Sequence, residues 1–134
     1  MGEARADLVR RAYEAFASRD VEALRALADP EVEIITVTGM IAGHEEPYRG
    51  YEGIAAYIAD VASVWDRIEL TPSEFHELDE GRLLVFGRVR ARRGSYMLDL
   101  PNAWLWEFRG ERILRARVFA DPQGAELFLE REGR

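Results

Sequence analysis

Cysteine is absent from this 134-residue chain, which excludes a disulfide, a thiolate metal site and a cysteine nucleophile, and leaves the redox compartment unread. Histidine is scarce, with only His44 and His76, and neither His-x-x-x-His nor His-Glu-x-x-His occurs. The expectation is therefore no metal and no other cofactor. No stretch approaches the roughly 18 apolar residues of a membrane span. Met1-Gly2-Glu3-Ala4-Arg5 also lacks the apolar run of a signal peptide, so a soluble, cytoplasmic protein is expected. Basic residues are in deficit: 18 against 25 acidic ones give a net charge of -7. That balance argues against a nucleic-acid backbone or an anionic membrane as partner. Gly50 to Gly53 lacks the Gly-Lys-Ser/Thr ending of a phosphate loop. There is no internal repeat and no low-complexity tract.

What is present fits one globular domain over residues 1–134, since 48% hydrophobic and 32% charged residues suffice for a buried core and a solvated surface. Leu8, Val9, Ala12, Tyr13, Ala15 and Phe16 recur at helical spacing and predict a first helix to Ala17. Asp20 caps a short second helix with an apolar stripe of Val21, Leu24 and Leu27, which Pro30 stops. Val32, Ile34 and Ile35 begin a strand running towards Thr38. Gly39 to Gly50 reads as a charged, glycine-bearing loop with a short paired segment near Tyr48. Tyr51 to Trp65 is a third helix. Ile68 to Leu78 is a strand interrupted by Pro72, hence an edge or a bulge. Arg82 to Arg92 and Tyr96 to Phe108 form a hairpin around Arg93-Gly94-Ser95, Ile113 to Ala120 closes the sheet, and Asp121-Pro122 starts a final helix to about Glu130. Helices followed by an antiparallel meander indicate an α+β domain with a curved sheet wrapped around a long helix.

The phrases AYEAFASRDVEALRALADPEVEI and PYRGYEGIAAYI, together with this element order from Leu8 to Leu129, resemble the SnoaL-like branch of the nuclear-transport-factor-2-like superfamily. The resemblance implies a cone-shaped, ketosteroid-isomerase-like fold: a curved antiparallel sheet around N-terminal helices, an interior pocket and a short C-terminal helix. The superfamily includes isomerases, cyclases, dehydratases, epoxide hydrolases and non-catalytic binders, so it leaves the reaction open. Against the ketosteroid-isomerase pattern, Ile34 stands near the place of the general base and Trp104 near that of the oxyanion-stabilising acid. Ala12 matches the place of the partner tyrosine, with Tyr13 beside it. Those isomerase acids are missing.

Candidate site residues follow from strand parity and from the resemblance. Asn102, Trp104, Trp106 and Phe108 alternate onto one face, the concave one by their size, and either wall a ligand or fill the core. Arg88 and Arg90 share a face with Leu84 and Phe86. If that face is concave they bind a carboxylate or enolate oxygen; if Val85 and Val89 point inward instead, the arginines lie on the outer surface. Arg115 and Arg117 favour an outer or interfacial place, with Leu114, Ala116 and Val118 as the core set. Asp121 and Asp99 are the candidate acid–base residues, Asp121 by the late position of an Asp in some SnoaL-like cyclases. Asp121 also reads as a helix cap, and Asp99 as a wet strand residue. Tyr13, Tyr48 and Tyr57 complete the substrate-binding set, and His44 sits in the mouth loop. Two functions compete: a cofactor-free isomerase, cyclase or lyase acting by proton transfer on an apolar oxygenated compound of polyketide or terpenoid type, and a non-catalytic binding or dimerisation module. Both imply a small apolar molecule and a homodimer, the latter through an outer face made apolar by Leu105 and Phe119. A carboxylate inside the cavity favours the enzyme; a cavity of aromatics favours the binder.

Overall fold

Helix α1 (Gly2–Ala17) buries Val9, Ala12, Tyr13 and Phe16 along one face, as the 3.6-residue period demands. The computed structural model describes residues 2–43, 46–78, 81–119 and 121–132. Arg19, at φ 57°, turns the chain, and Asp20 caps α2 (Val21–Leu27) by accepting from the Ala23 N–H at 3.0 Å. Strand β1 (Ala28–Ile35) follows without a loop, so Pro30 lies within the strand.

The expected strand extension to Thr38 and loop from Gly39 are replaced by a short helix, α3 (Val37–Ile41). Its start is held by Thr36, whose Oγ1 accepts from the Gly39 N–H at 3.1 Å. Trp65 Nε1 donates to Thr38 Oγ1 at 3.0 Å and pins it to the next helix. Tertiary bonds thus hold a helix that β-branched residues and glycine disfavour locally. Strand β2 (Tyr48–Arg49) pairs antiparallel with β1 and leads into α4 (Gly50–Val64). Tyr48 is wedged between these helices: a Cβ on Gly39 would lie 3.1 Å from its ring and one on Gly53 would lie 2.8 Å from its carbonyl carbon. Its hydroxyl donates to Asp60 Oδ2 at 2.6 Å.

Strands β3 (Arg67–Glu77), β4 (Arg82–Arg93), β5 (Tyr96–Arg109) and β6 (Arg112–Phe119) form the antiparallel meander, and β1 joins β6 in parallel, giving the order β2-β1-β6-β5-β4-β3 in one curved, unclosed sheet. β3 is the edge strand and bulges between Pro72 and Glu74. Gly87 faces this bulge, and a Cβ there would collide with the Thr71 carbonyl oxygen and come within 2.8 Å of Pro72 Cα. The bend of the sheet therefore needs glycine at that point.

Trp104 pairs with Val85 and Val118, and Trp106 with Leu83 and Ala116. These residues form the concave face, and with Val9 of α1, Val32 of β1 and Ile54 of α4 they make the main core. A bulge between Glu107 and Phe108 sets Ile113 opposite Phe108. Ile113 is buried and Leu114 only half-buried, which displaces Leu114 from the core position its parity predicts. On the convex face, α5 (Pro122–Glu132) lies over Leu84, Ala103 and Leu105 through Ala125, Phe128 and Leu129. Leu105, expected on an outer apolar face, is fully buried beneath the chain's own helix.

Candidate functional site

The cone holds two neighbouring chambers. The inner one, about 80 Å³, is lined by Ala12, Tyr13 and Phe16 of α1, Leu24 of α2, Val32 and Ile34 of β1, Ile54 and Tyr57 of α4, Trp104 and Trp106 of β5, and Ala116 and Val118 of β6. The outer chamber, about 270 Å³, opens where Ile41 of α3 and Tyr96 and Leu100 of β5 are exposed, and has Trp65, Val89 and Asn102 among its walls. Thr36, Tyr57, Leu70, Trp104 and Val118 border both. Together they offer the mostly apolar concavity with few polar groups that small-molecule sites share.

The polar groups are few and unusual. Tyr13 is 8% exposed, Trp106 8% and Asn102 3%. Tyr13 Oη, Trp106 Nε1 and Asn102 Oδ1 each have no hydrogen-bond partner. Tyr13 stands edge-on to both indoles, with ring centroids 5.2 Å from Trp104 and 5.5 Å from Trp106. Burial pushes its phenol well above the ordinary value of 10.0, with the nearby Trp106 N–H opposing. Tyr13 is therefore a neutral donor across the physiological range. Burial also raises Tyr57. No Asp, Glu, His or Arg among the described residues lines either chamber. Nor does any group of three or more His, Cys, Asp or Glu among them stand ready to hold a metal.

Of the sequence candidates, the chambers bring together Tyr13, Tyr57, Asn102, Trp104 and Trp106. Tyr48 is buried behind Tyr57, ring centroids 5.4 Å apart, and serves the α3–α4 junction. Arg88 and Arg90 are not in the cavity: Val89 takes the inward position opposite Leu100, so parity sends both arginines to the convex face. There Arg88 Nε donates to Asp99 Oδ1 at 2.7 Å and Arg90 Nε lies 3.7 Å from Asp99 Oδ2, every side chain at least half exposed. Asp99 thus belongs to a solvated ion cluster. Asp121 is exposed and accepts from the Gly124 N–H at 2.7 Å, capping α5. His44 lies outside the described residues. His76 is on the edge strand, 3.4 Å from Glu74. Sequence reading passed over Phe16, Leu24, Ile54 and Leu70 as cavity walls, since an apolar residue that lines a void has the same helical or strand spacing as one that fills a core.

The SnoaL-like domain family matches residues 9–116. The chain belongs to the SnoaL-like family. An uncharacterized protein of Mycobacterium tuberculosis (strain ATCC 25618 / H37Rv) is 32% identical over 125 residues, 91% of this chain and 93% of the relative. Among solved structures, TerC co-crystallized with polyporic acid is similar at a TM-score of 0.78 and 25% identity, over 95% of this chain and 98% of that one. An NTF2-like protein of unknown function from Burkholderia pseudomallei K96243 matches at 0.77 and 26%, over 93% and 95%. Putative polyketide cyclases match at 17% and 19% identity, which shows a shared fold. No described helix of this member is long and apolar enough to cross a membrane.

Proposed function

We propose that this SnoaL-like protein binds a small, mainly apolar, oxygen-bearing molecule within its two chambers, and that it holds the ligand without proton-transfer chemistry. The observation that carries this reading is the lining itself. Aromatic and aliphatic walls supply burial at roughly 25 cal/mol per Å² of apolar surface, while the two candidate acids stand outside as an α5 cap and a convex-face ion-pair member. A general base must come within hydrogen-bond reach of the proton it takes, and no described carboxylate or imidazole lines the cavity. The chain also contains no cysteine and no lysine, which removes thiol and Schiff-base intermediates.

A second reading, an enzyme, has one observation in its favour. A neutral Tyr13 hydroxyl in a dry chamber can stabilise negative charge developing on a ligand oxygen. Calorimetric titration with polyporic acid tests both readings, because TerC was co-crystallized with that compound. Saturable binding is expected and the ligand is expected back unchanged. Ala116→Leu, which adds three carbons to the inner chamber, should weaken binding at least tenfold while folding is retained. Recovery of an altered ligand would favour the enzyme. Binding indifferent to Ala116→Leu would place the ligand elsewhere and sink the cavity assignment.

A further inference from the structure

Three hollows meet at one side chain. Besides the two chambers, a groove of about 470 Å³ runs between the end of α1 and the start of β3, lined by Tyr13, Phe16, Ala17 and Arg19 and by residues 66–71. The inner chamber shares Tyr13, Phe16 and Leu70 with this groove, and the outer chamber shares Ile68 and Leu70 with it. Leu70 is also common to the two chambers, and it alone of the described residues borders all three hollows. A side chain that borders two hollows is part of the wall between them.

The other residues common to both chambers are held firmly. Trp104 is buried, with Tyr13 edge-on to it at 5.2 Å. Tyr57 stacks on Phe16 at 5.9 Å and meets the Tyr48 ring at 5.4 Å. Thr36 Oγ1 accepts from the Gly39 N–H, and Val118 is β-branched and stiff at its first torsion. Leu70 is held less firmly. It is half-buried on the edge strand β3, with a strand neighbour on one side only, Val89 of β4, and its side chain turns about two torsions. It packs at once against the main core and against the second cluster around Val61 and Trp65.

Building on the small-molecule reading above, we infer that Leu70 is the size-selecting residue of this site: its side chain partitions the inner chamber from the outer one and from the α1–β3 groove, and so sets the length of apolar chain that the site accepts. An alkyl tail gains affinity with each methylene it buries, and the gain stops where the tail meets Leu70. Shortening this side chain joins the hollows and lets a longer tail in; enlarging it shuts the tail out sooner. The half-buried place on an edge strand also means that replacing Leu70 disturbs fewer neighbours than replacing Trp104 in the middle of the sheet.

Calorimetric titration with 4-n-alkylphenols, from methyl to heptyl, tests this. In the wild-type protein each methylene is expected to tighten Kd by about fourfold up to a limiting length and to add nothing beyond it. Leu70→Ala should move that limit outward by about two methylenes, Leu70→Val should move it outward by less, and Leu70→Phe should move it inward. Leu129→Ala, the same truncation beneath α5 on the convex face, should leave the limit where it is. Melting temperatures report that each variant is folded, and the valine and phenylalanine variants decide the matter if the alanine one is not. An unchanged limit in the Leu70 variants, or a loss of affinity by one factor at every length, would overturn the role of Leu70 while Ala116→Leu still reports on the cavity. Failure of the whole series to bind the wild-type protein would overturn the cavity reading and this inference with it.

Discussion

Tyr13 keeps a hydroxyl that its own fold leaves unpartnered in a chamber walled by two indoles. Selection for stability alone would favour phenylalanine there, since removing a buried, unsatisfied hydroxyl relieves its desolvation cost. Tyr13→Phe is expected to raise the unfolding free energy by about 1 kcal/mol, measured by urea denaturation without ligand. A loss of that size instead would mean the hydroxyl already has a firm partner. The helical spacing of α1 placed Tyr13 on the buried face, and that much is visible in the sequence. Its lack of a partner is not, because Trp106 stands 93 positions away and only the curvature of the sheet brings the two together. Arg88 and Arg90 teach the reverse lesson. Their parity left two faces open, and the choice fell to Val85 and Val89, which pair across β5 with Trp104 and Leu100 on the inner side.

At the scale of elements, α5 is the clearest case of a local signal with a non-local consequence. Asp121-Pro122 announces a helix start, and the side chain caps it through the Gly124 N–H. Once formed, the helix buries Leu105, Ala103 and Leu84 on the convex face, so a residue that reads as an exposed contact is sealed inside the chain. Asp121→Ala is expected to cost about 1 kcal/mol through loss of the cap, and to leave ligand affinity unchanged. A fall in affinity with stability preserved would return Asp121 to the site. α3 escaped notice for a related reason: five residues, two of them β-branched valine and threonine and one glycine, make a poor helix alone. The Trp65 and Thr36 bonds that hold it are tertiary or capping contacts.

Across the whole molecule the acidic excess is organised rather than uniform. Glu33 of β1 is bridged by Arg49 of β2 and Arg115 of β6, each at 3.0 Å, and Arg115 continues to Glu107 of β5 at 3.1 Å, tying four strands together. The Arg49 hydrogen bond is the largest effect that holds the Glu33 carboxyl below its ordinary value of 4.5; burial opposes it, and Arg115 adds to the lowering. A depressed folded value means that this contribution is complete above the unfolded value and is lost as pH falls through the folded one. The melting temperature should therefore drop between pH 5 and about 3 more steeply in the native protein than in Glu33→Gln; parallel curves would remove Glu33 from acid unfolding. Element order apart from α3, the helix caps at Asp20 and Asp121, the edge character of the Pro72 strand and the concave face of Asn102, Trp104 and Trp106 were legible along the chain. They depend on neighbours within a few positions and on periods of 2 and 3.6 residues. Which face Arg88 took, where the bulge moved Leu114, what covers Leu105 and which polar atoms stand alone in the cavity were settled by the tertiary structure. Each depends on residues brought together across the sheet, and a one-residue change of register reverses the outcome.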